Sequence, residues 1–490
     1  MRRSPRTPAL LPLLSLLSVV SCAEPAPPTF PDKGPVTSRS SGAAERASVA
    51  ITVYNGGFGV VREVRDVKLA EGRVALELRD VSAGIRPETV HIRPLGDPNS
   101  FRVLEQNFRY DLLGPEKLLE KYVGRKVRVY RWNEAKGQDE AKEAEVLAVQ
   151  NGVVLRIDNE ITFGFPGRIA FPEVPANLVS RPTLVWLLAS RAPRERIEVS
   201  YMSTGLGWEA DYVLVVNEDD TRGDLQGWVT LSNTSGASYE DAQLKLVAGD
   251  VNRVRPEMTR DVTGGDAEMA PPPPPEPPQF REEGFFEYHL YTLQRPTTLL
   301  DKEQKQVSLL EGHDAAVKKK LVLRGFENLY RYDLGGGVPP KQKVGVYLEV
   351  ENSEKNHLGI PLPRGVVRVY KADKSGAKQL IGEDRIDHTP RDEKITVKMG
   401  ESFDLVGERK QTDFKTLGQC QSESAWEISV RNHKDRRERV EVEEPASGDW
   451  TIVESSLPAK KKDAHTFTFD VDVPARGETK VTYRVRVRWC

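Results

Sequence analysis

From residue 480 to residue 489 the chain alternates without a break. Val481, Tyr483, Val485, Val487 and Trp489 share one parity, and Lys480, Thr482, Arg484, Arg486 and Arg488 share the other. Successive side chains of a strand point to opposite faces, so this run is a strand with one dry face and one wet face. The pattern recurs along the chain. Phe467, Phe469, Val471 and Val473 alternate with Thr466, Thr468, Asp470 and Asp472, and Val344, Val346, Leu348 and Val350 form another such row, as do Leu225, Val229 and Leu231. Turn residues fall between the runs, at Asn55-Gly56 and at Lys374-Ser375-Gly376. Many short half-buried strands predict an all-β fold of several antiparallel β-sandwich (Ig-like) modules.

One segment breaks the period. Pro115 suits a first helical position, Glu116 favours the positive helix end, and Gly124 can close it. Leu118, Leu119, Tyr122 and Val123 would then share one face. Four short strand patterns follow at 126–131, 143–149, 153–157 and 161–163. A short helix leading into such strands predicts a small SH3- or Sm-like barrel. The expected organisation is therefore an N-terminal β module at 48–113, the helix with its barrel at 114–175, a sandwich at 183–335 and a C-terminal sandwich at 340–490. The sandwich at 183–335 carries a Pro-rich insert at 254–283. Its run from Pro271 to Pro278 cannot donate ladder hydrogen bonds and reads as a loop.

The first residues read as an export signal. Arg2, Arg3 and Arg6 precede an apolar stretch of 12 residues from Ala9 to Val20. That is too short for a ~30 Å bilayer core and right for a secretory signal. Val19-Val20-Ser21-Cys22 closes it and resembles a bacterial lipobox, so residues 1–21 read as a lipoprotein signal peptide and Cys22 as the lipid attachment site. Residues 22–47, rich in Pro and Ser at their start, read as a flexible tether. Ala23 is not aspartate, which by resemblance to known sorting rules favours the outer membrane. Two acyl attachments hold a protein stably where one chain is marginal.

Lys+Arg 71 against Asp+Glu 73 leaves a nearly neutral chain, which argues against a nucleic-acid partner. Cys420 and Cys490 are the remaining cysteines. An oxidising compartment would allow them to pair, although Cys490 falls on the polar parity of its strand and Cys420 lies in a polar stretch.

The search for chemistry is mostly negative. His289 and His313, the nearest two of the seven histidines, are 24 residues apart, so no metal-binding His pair sits on one helix or strand. There is no GxSxG elbow, Walker loop or GxGxxG. Ser375-Gly376-Ala377-Lys378 matches a Ser-x-x-Lys acylation motif in letters but lies in a hairpin turn. Glu218, Asp220 and Gly223 imitate part of a calcium loop, yet Arg222 stands where a ligand belongs. Asp111, Glu209 and Asp211 neighbour Tyr110, Trp208 and Tyr212, the composition of a glycan-active site, although Glu209 and Asp211 fit an exposed strand face equally well. Lys318–Lys320 and Lys460–Lys462 read as solvated loop charges. No catalytic residue, metal or cofactor is expected, and the chain reads as a non-enzymatic protein whose partners are the membrane, through its lipid, and an envelope protein or polysaccharide. A polysaccharide binder needs an aromatic platform, for which Trp208 and Trp228 are the first candidates, with Trp132 and Trp186 behind them. A hydrolase with an unrecognised site is the remaining alternative.

Several stretches resemble one family. They are Tyr201–Tyr212 (YMSTGLGWEADY), Gly227–Asn252 (GWVTLSNTSGASYEDAQLKLVAGDVN), Tyr288–Leu310 (YHLYTLQRPTTLLDKEQKQVSLL), Arg431–Lys434 (RNHK) and Tyr483–Val487 (YRVRV). Val53–Arg62 and Val103–Leu113 are similar to the leading segment of some members. The resemblance is to bacterial envelope proteins like mucoidy inhibitor A, sharing domain of unknown function 4139. It implies an envelope-associated β protein and brings no catalytic residues. Members like mucoidy inhibitor A also carry a coiled-coil-like segment between their β regions, which this sequence lacks.

Overall fold

In the computed structural model, which describes residues 30–31, 33–111, 113–134, 136–175, 178–249, 251–252, 279–335 and 341–490, the alternating runs are strands. Glu478–Arg488 buries Val481, Tyr483, Val485 and Val487 and exposes Lys480, Thr482 and Arg486. Thr466–Val473 buries Phe467, Phe469, Val471 and Val473. The only α-helix among the described residues is Pro115–Lys121. The fold is all-β and sandwich-like, with four sheets of four, five, eight and thirteen strands.

Two apolar cores organise these sheets. The larger one takes Val49, Ile51 and Val61 from the eight-stranded sheet, Leu76 and Trp186 from the four-stranded sheet, and Leu214, Val229 and Val397 from the thirteen-stranded sheet. The second gathers Leu323, Trp426, Val440, Phe467, Phe469 and Val485. Strands Glu303–Arg324 and Lys394–Gly418 cross from one core to the other. Val307 and Leu309 lie in the first and Leu321 and Leu323 in the second, while Ile395 and Val397 lie in the first and Leu405 in the second. These strands have 22 and 25 residues, far beyond the usual ~3–10.

The expected module borders therefore need correction. No border separates a sandwich at 183–335 from one at 340–490, because both long strands are shared and Leu206–Val216 pairs in parallel with Gly365–Ala372. Nor is 48–113 a separate module. Arg46–Tyr54 pairs with Tyr239–Ala248, Phe58–Lys68 with Arg194–Thr204, and Gly72–Arg79 with Thr183–Ser190. Alternation reveals which face of a strand is buried but not which strand lies beside it, and these partners are more than a hundred residues away. The tether also ends sooner than residue 47, since Val36–Ser41 pairs in parallel with Gly72–Arg79.

The segment 114–175 does form a unit of its own. Leu113 donates its N–H to Val179 O at 2.9 Å, and Val179 donates to Asp111 O at 3.1 Å, so the unit leaves and re-enters the body side by side. Its core is Tyr122, Val127, Val129, Ala144, Val146 and Leu155. Its strands follow the order 160–163, 154–157, 138–148, 126–133, 168–170. The first and last are not paired with each other among the described residues, so the expected barrel is an open sheet. The helix buries Tyr122 at its C-terminal cap but leaves Val123 exposed, because the chain already turns at Gly124 with φ +76°. The signal peptide, Cys22 and residues 253–278 of the Pro-rich insert lie outside the described residues. The end of that insert is not loop, since Phe280–Phe285 pairs with Tyr288–Leu293.

Charged groups sit inside both cores. Glu63 and Arg65, on the buried parity of Phe58–Lys68, are fully enclosed and paired at 2.6 Å. Glu63 also accepts the Tyr201 hydroxyl at 2.9 Å, and Arg65 donates to the carbonyls of Ser41, Gly42 and Arg79. In the second core Arg409 bonds Glu444, whose other oxygen accepts Tyr330 at 2.7 Å and Tyr483 at 3.2 Å. Burial pushes the hydroxyls of Tyr201, Tyr330 and Tyr483 well above the ordinary tyrosine range, so each remains a donor. A second device recurs three times. The carboxamides of Asn233, Asn352 and Asn432 each donate to carbonyls across a strand-end corner: to Ala237 and Leu300, to Ile360 and Pro390, and to Arg436 and Pro474.

Candidate functional site

The aromatic candidates separate by parity. Leu206–Val216 turns Trp208, Ala210, Tyr212 and Leu214 inward, and Trp208 is only 2% exposed. A side chain packed into the core beside Tyr291 cannot stack on a sugar, so Trp208 is not a carbohydrate platform. Trp186 is fully buried and donates its indole N–H to Gln106. Trp228 lies on the opposite parity of its own strand, half-buried, directly across from Asp211. Trp132 is the most exposed of the four, at 60%.

The acidic candidates are not brought together. Asp211 pairs with Arg368 at 3.1 Å and accepts the Thr230 hydroxyl at 2.9 Å. Asp111 is held by Lys121 at 2.6 Å. Glu209 is exposed on the solvent side of its strand. The calcium-like segment is a turn closed by lysines, with Asp220 accepting from Lys319 at 2.8 Å and Lys371 at 2.5 Å. Burial pushes its carboxyl up, but these ammonium contacts outweigh that and hold it below the usual range. The Ser-x-x-Lys match is a turn capped by Asp373, which accepts the Ser375 hydroxyl and the N–H groups of Ser375 and Ala377. No group of three metal-binding side chains converges among the described residues, and none of their helices is long and apolar enough to cross a membrane. The lysine runs lie in strands, not loops. Lys319 and Lys320 bond Asp220 and Glu349, while Lys460 and Lys462 bond Asp470 and Glu443.

Cys420 and Cys490 are joined by a disulfide, with Cα atoms 5.6 Å apart and a separation of 70 positions in sequence. The turn between Lys394–Gly418 and Gln421–Asn432 brings Cys420 beside the end of Glu478–Arg488, where Trp489 donates its N–H to Cys420 O. Neither cysteine needs a buried position for this, which is why strand parity said little about it.

A cleft of about 450 Å³ opens on the outer face of the eight-stranded sheet, and no sequence pattern points to it. Its floor is Ser48 and Ala50 with Val64, small outward residues of two neighbouring strands. The corner Leu293–Pro296 walls one side. Arg62, Glu198, Asp241 and Gln243 complete it. Asp241 has φ +47°, a strained conformation for a residue with a side chain, and donates its N–H to the Thr298 hydroxyl. Arg62 lies 3.8 Å from Glu198, which Arg93 approaches to 2.8 Å.

A search of the curated proteins found no match. The model of a family described as a domain of unknown function, DUF4139, matches residues 197–490. The match takes in the inward row of Trp208 and Tyr212, all three asparagine corners, both long strands and the disulfide. Spanning well over half of the 490 residues, it shows that the chain belongs to the DUF4139 family.

Proposed function

We propose that this protein is a bacterial lipoprotein, acylated at Cys22 and held at the outer membrane, that binds or organises other envelope components and catalyses no reaction itself. The placement of its three cysteines carries this reading. One closes the lipobox-like Val19–Cys22, and the other two form the disulfide. Disulfides persist in oxidising compartments such as the periplasm and are rare in the cytosol. The sheet ends supply surfaces for partners. Asp449–Ser455 terminates one side of the thirteen-stranded sheet, and Val453 on it is 48% exposed. Such an edge can add a partner strand.

Metabolic labelling with a palmitate analogue, followed by membrane fractionation, tests the anchor. The wild type should carry label and sediment with outer membranes, and Cys22→Ser should do neither while keeping the strand-rich circular dichroism of the parent. An unlabelled wild type recovered free in the periplasm would end the lipoprotein reading. Turnover of a peptide, ester or glycoside that is lost with Glu209→Gln or Asp211→Asn would replace the non-enzymatic reading by a hydrolase. A second reading, a surface-polysaccharide binder, is favoured by the cleft on the eight-stranded sheet.

A further inference from the structure

We infer that this cleft is a binding site for an uncharged segment of an envelope oligosaccharide, an inference that rests on the reading of the protein as a binder of envelope components. Its volume, about 450 Å³, lies within the ~300–1,000 Å³ of small-ligand sites. Its walls alternate donors with acceptors. Arg62 and Arg295 offer guanidinium N–H groups, Gln243 and Gln294 offer both roles in one carboxamide, and Asp241 and Glu198 accept. Vicinal hydroxyls donate and accept at once, and such a mixed wall satisfies them in pairs; no aromatic ring lines the cleft, so recognition rests on these hydrogen bonds and not on the stacking platform expected from the sequence.

Charge and topology narrow the ligand class. Two arginines face two carboxylates, so the cleft carries no net charge for a polyanion to meet. Glu198 is already engaged by Arg62 and Arg93, and Arg295 leans on Gln279 at 3.3 Å. A peptide strand would add to unpaired backbone, whereas from Ala50 onward the floor strand is paired on both sides: Gln243–Val247 pairs in register with Ala50–Tyr54, which pairs in turn with Phe58–Arg62. Asp241 sets a carboxylate on the rim.

Calorimetric titration of the full-length protein in detergent tests the inference. The probes are maltohexaose, cellohexaose and chitohexaose as uncharged sugars, hexagalacturonate as the charged one, and an uncharged peptide hexamer. At least one uncharged hexaose should bind saturably. Ala50→Phe, which fills the floor from its solvent side, should abolish binding. Gln243→Ala and Asp241→Asn should each weaken it about tenfold, the loss of one hydrogen-bonding group; asparagine tolerates the positive φ that alanine would strain. Gln243 is exposed, so its variant decides the matter if Ala50→Phe fails to fold. The inference is overturned if no uncharged hexaose binds, if binding survives these changes, or if only the hexauronate or the peptide binds. Labelling at Cys22 is read separately, so a negative titration would leave the anchored reading intact.

Discussion

Arg409 and Glu444 meet at 2.8 Å with neither side chain reached by solvent, 35 residues apart in sequence and on separate strands. Arg409 also donates to Leu323 O at 3.1 Å, which ties three strands together at one guanidinium. Breaking a buried pair by removing one partner leaves a charge without a counter-ion. Arg409→Met should therefore destabilise the protein by about 3–5 kcal/mol, read as a lower urea midpoint. The double variant Arg409→Met, Glu444→Leu should recover most of that loss. A double variant as unstable as the single one would show that Tyr330 and Tyr483, not the ion pair, set the stability here.

The disulfide closes a 70-residue loop around the second core. Restricting that much chain in the unfolded state stabilises the fold by about 2–4 kcal/mol. Cys420→Ser and Cys490→Ser should lower the melting temperature equally, and dithiothreitol should do the same to the wild type while leaving either variant unchanged. Unequal effects would assign the loss to local packing instead.

Asp220 gives a pH prediction. Its carboxyl is held below the ordinary ~3.9 by Lys319 and Lys371. A folded-state value below the unfolded one contributes stability at all pH above the unfolded value, and that contribution is lost as pH falls through the folded value. Lys371→Met should move the Asp220 titration upward, because burial then acts with one ammonium fewer against it. Carbon-detected NMR titration of the Asp220 carboxyl reads the shift, and an unmoved midpoint would contradict the assignment.

The unit at 114–175 should be removable. Replacing residues 114–177 by a short Gly-Ser link joins Leu113 to Leu178, whose neighbours already exchange hydrogen bonds. Because its core shares no residue with the other two, the remainder should keep its cooperative melt. Loss of that transition would mean that the unit supports the body.

The strands were legible because parity is a local property. Trp208 shares the inward parity of Ala210, Tyr212 and Leu214, so its nomination as an exposed platform failed, while Trp228 falls on the outward parity of its own strand. Glu63 and Arg65 mislead such a reading, since they are charged yet lie on the buried parity between Val61 and Val67. Their burial depends on each other and on Tyr201, 138 residues beyond Glu63. The cleft was invisible for the same reason. Ser48, Arg62, Glu198 and Asp241 are ordinary surface residues until the pairing of 239–248 with 46–54, of 46–54 with 58–68 and of 58–68 with 194–204 sets them on one face. The module borders failed because Glu303–Arg324 and Lys394–Gly418 alternate straight through the places where a sandwich would ordinarily end.

Those two long strands also determine how the molecule carries force. With the anchor proposed at Cys22, a partner pulling on the body would put it under tension, and domains joined by linkers would yield at the linker first. Here the tension runs along two continuous backbones, each cross-braced by ladder hydrogen bonds to its neighbours. Parting the two cores means shearing whole ladders at once, not swinging a joint. Under such a load the body would act as a strut.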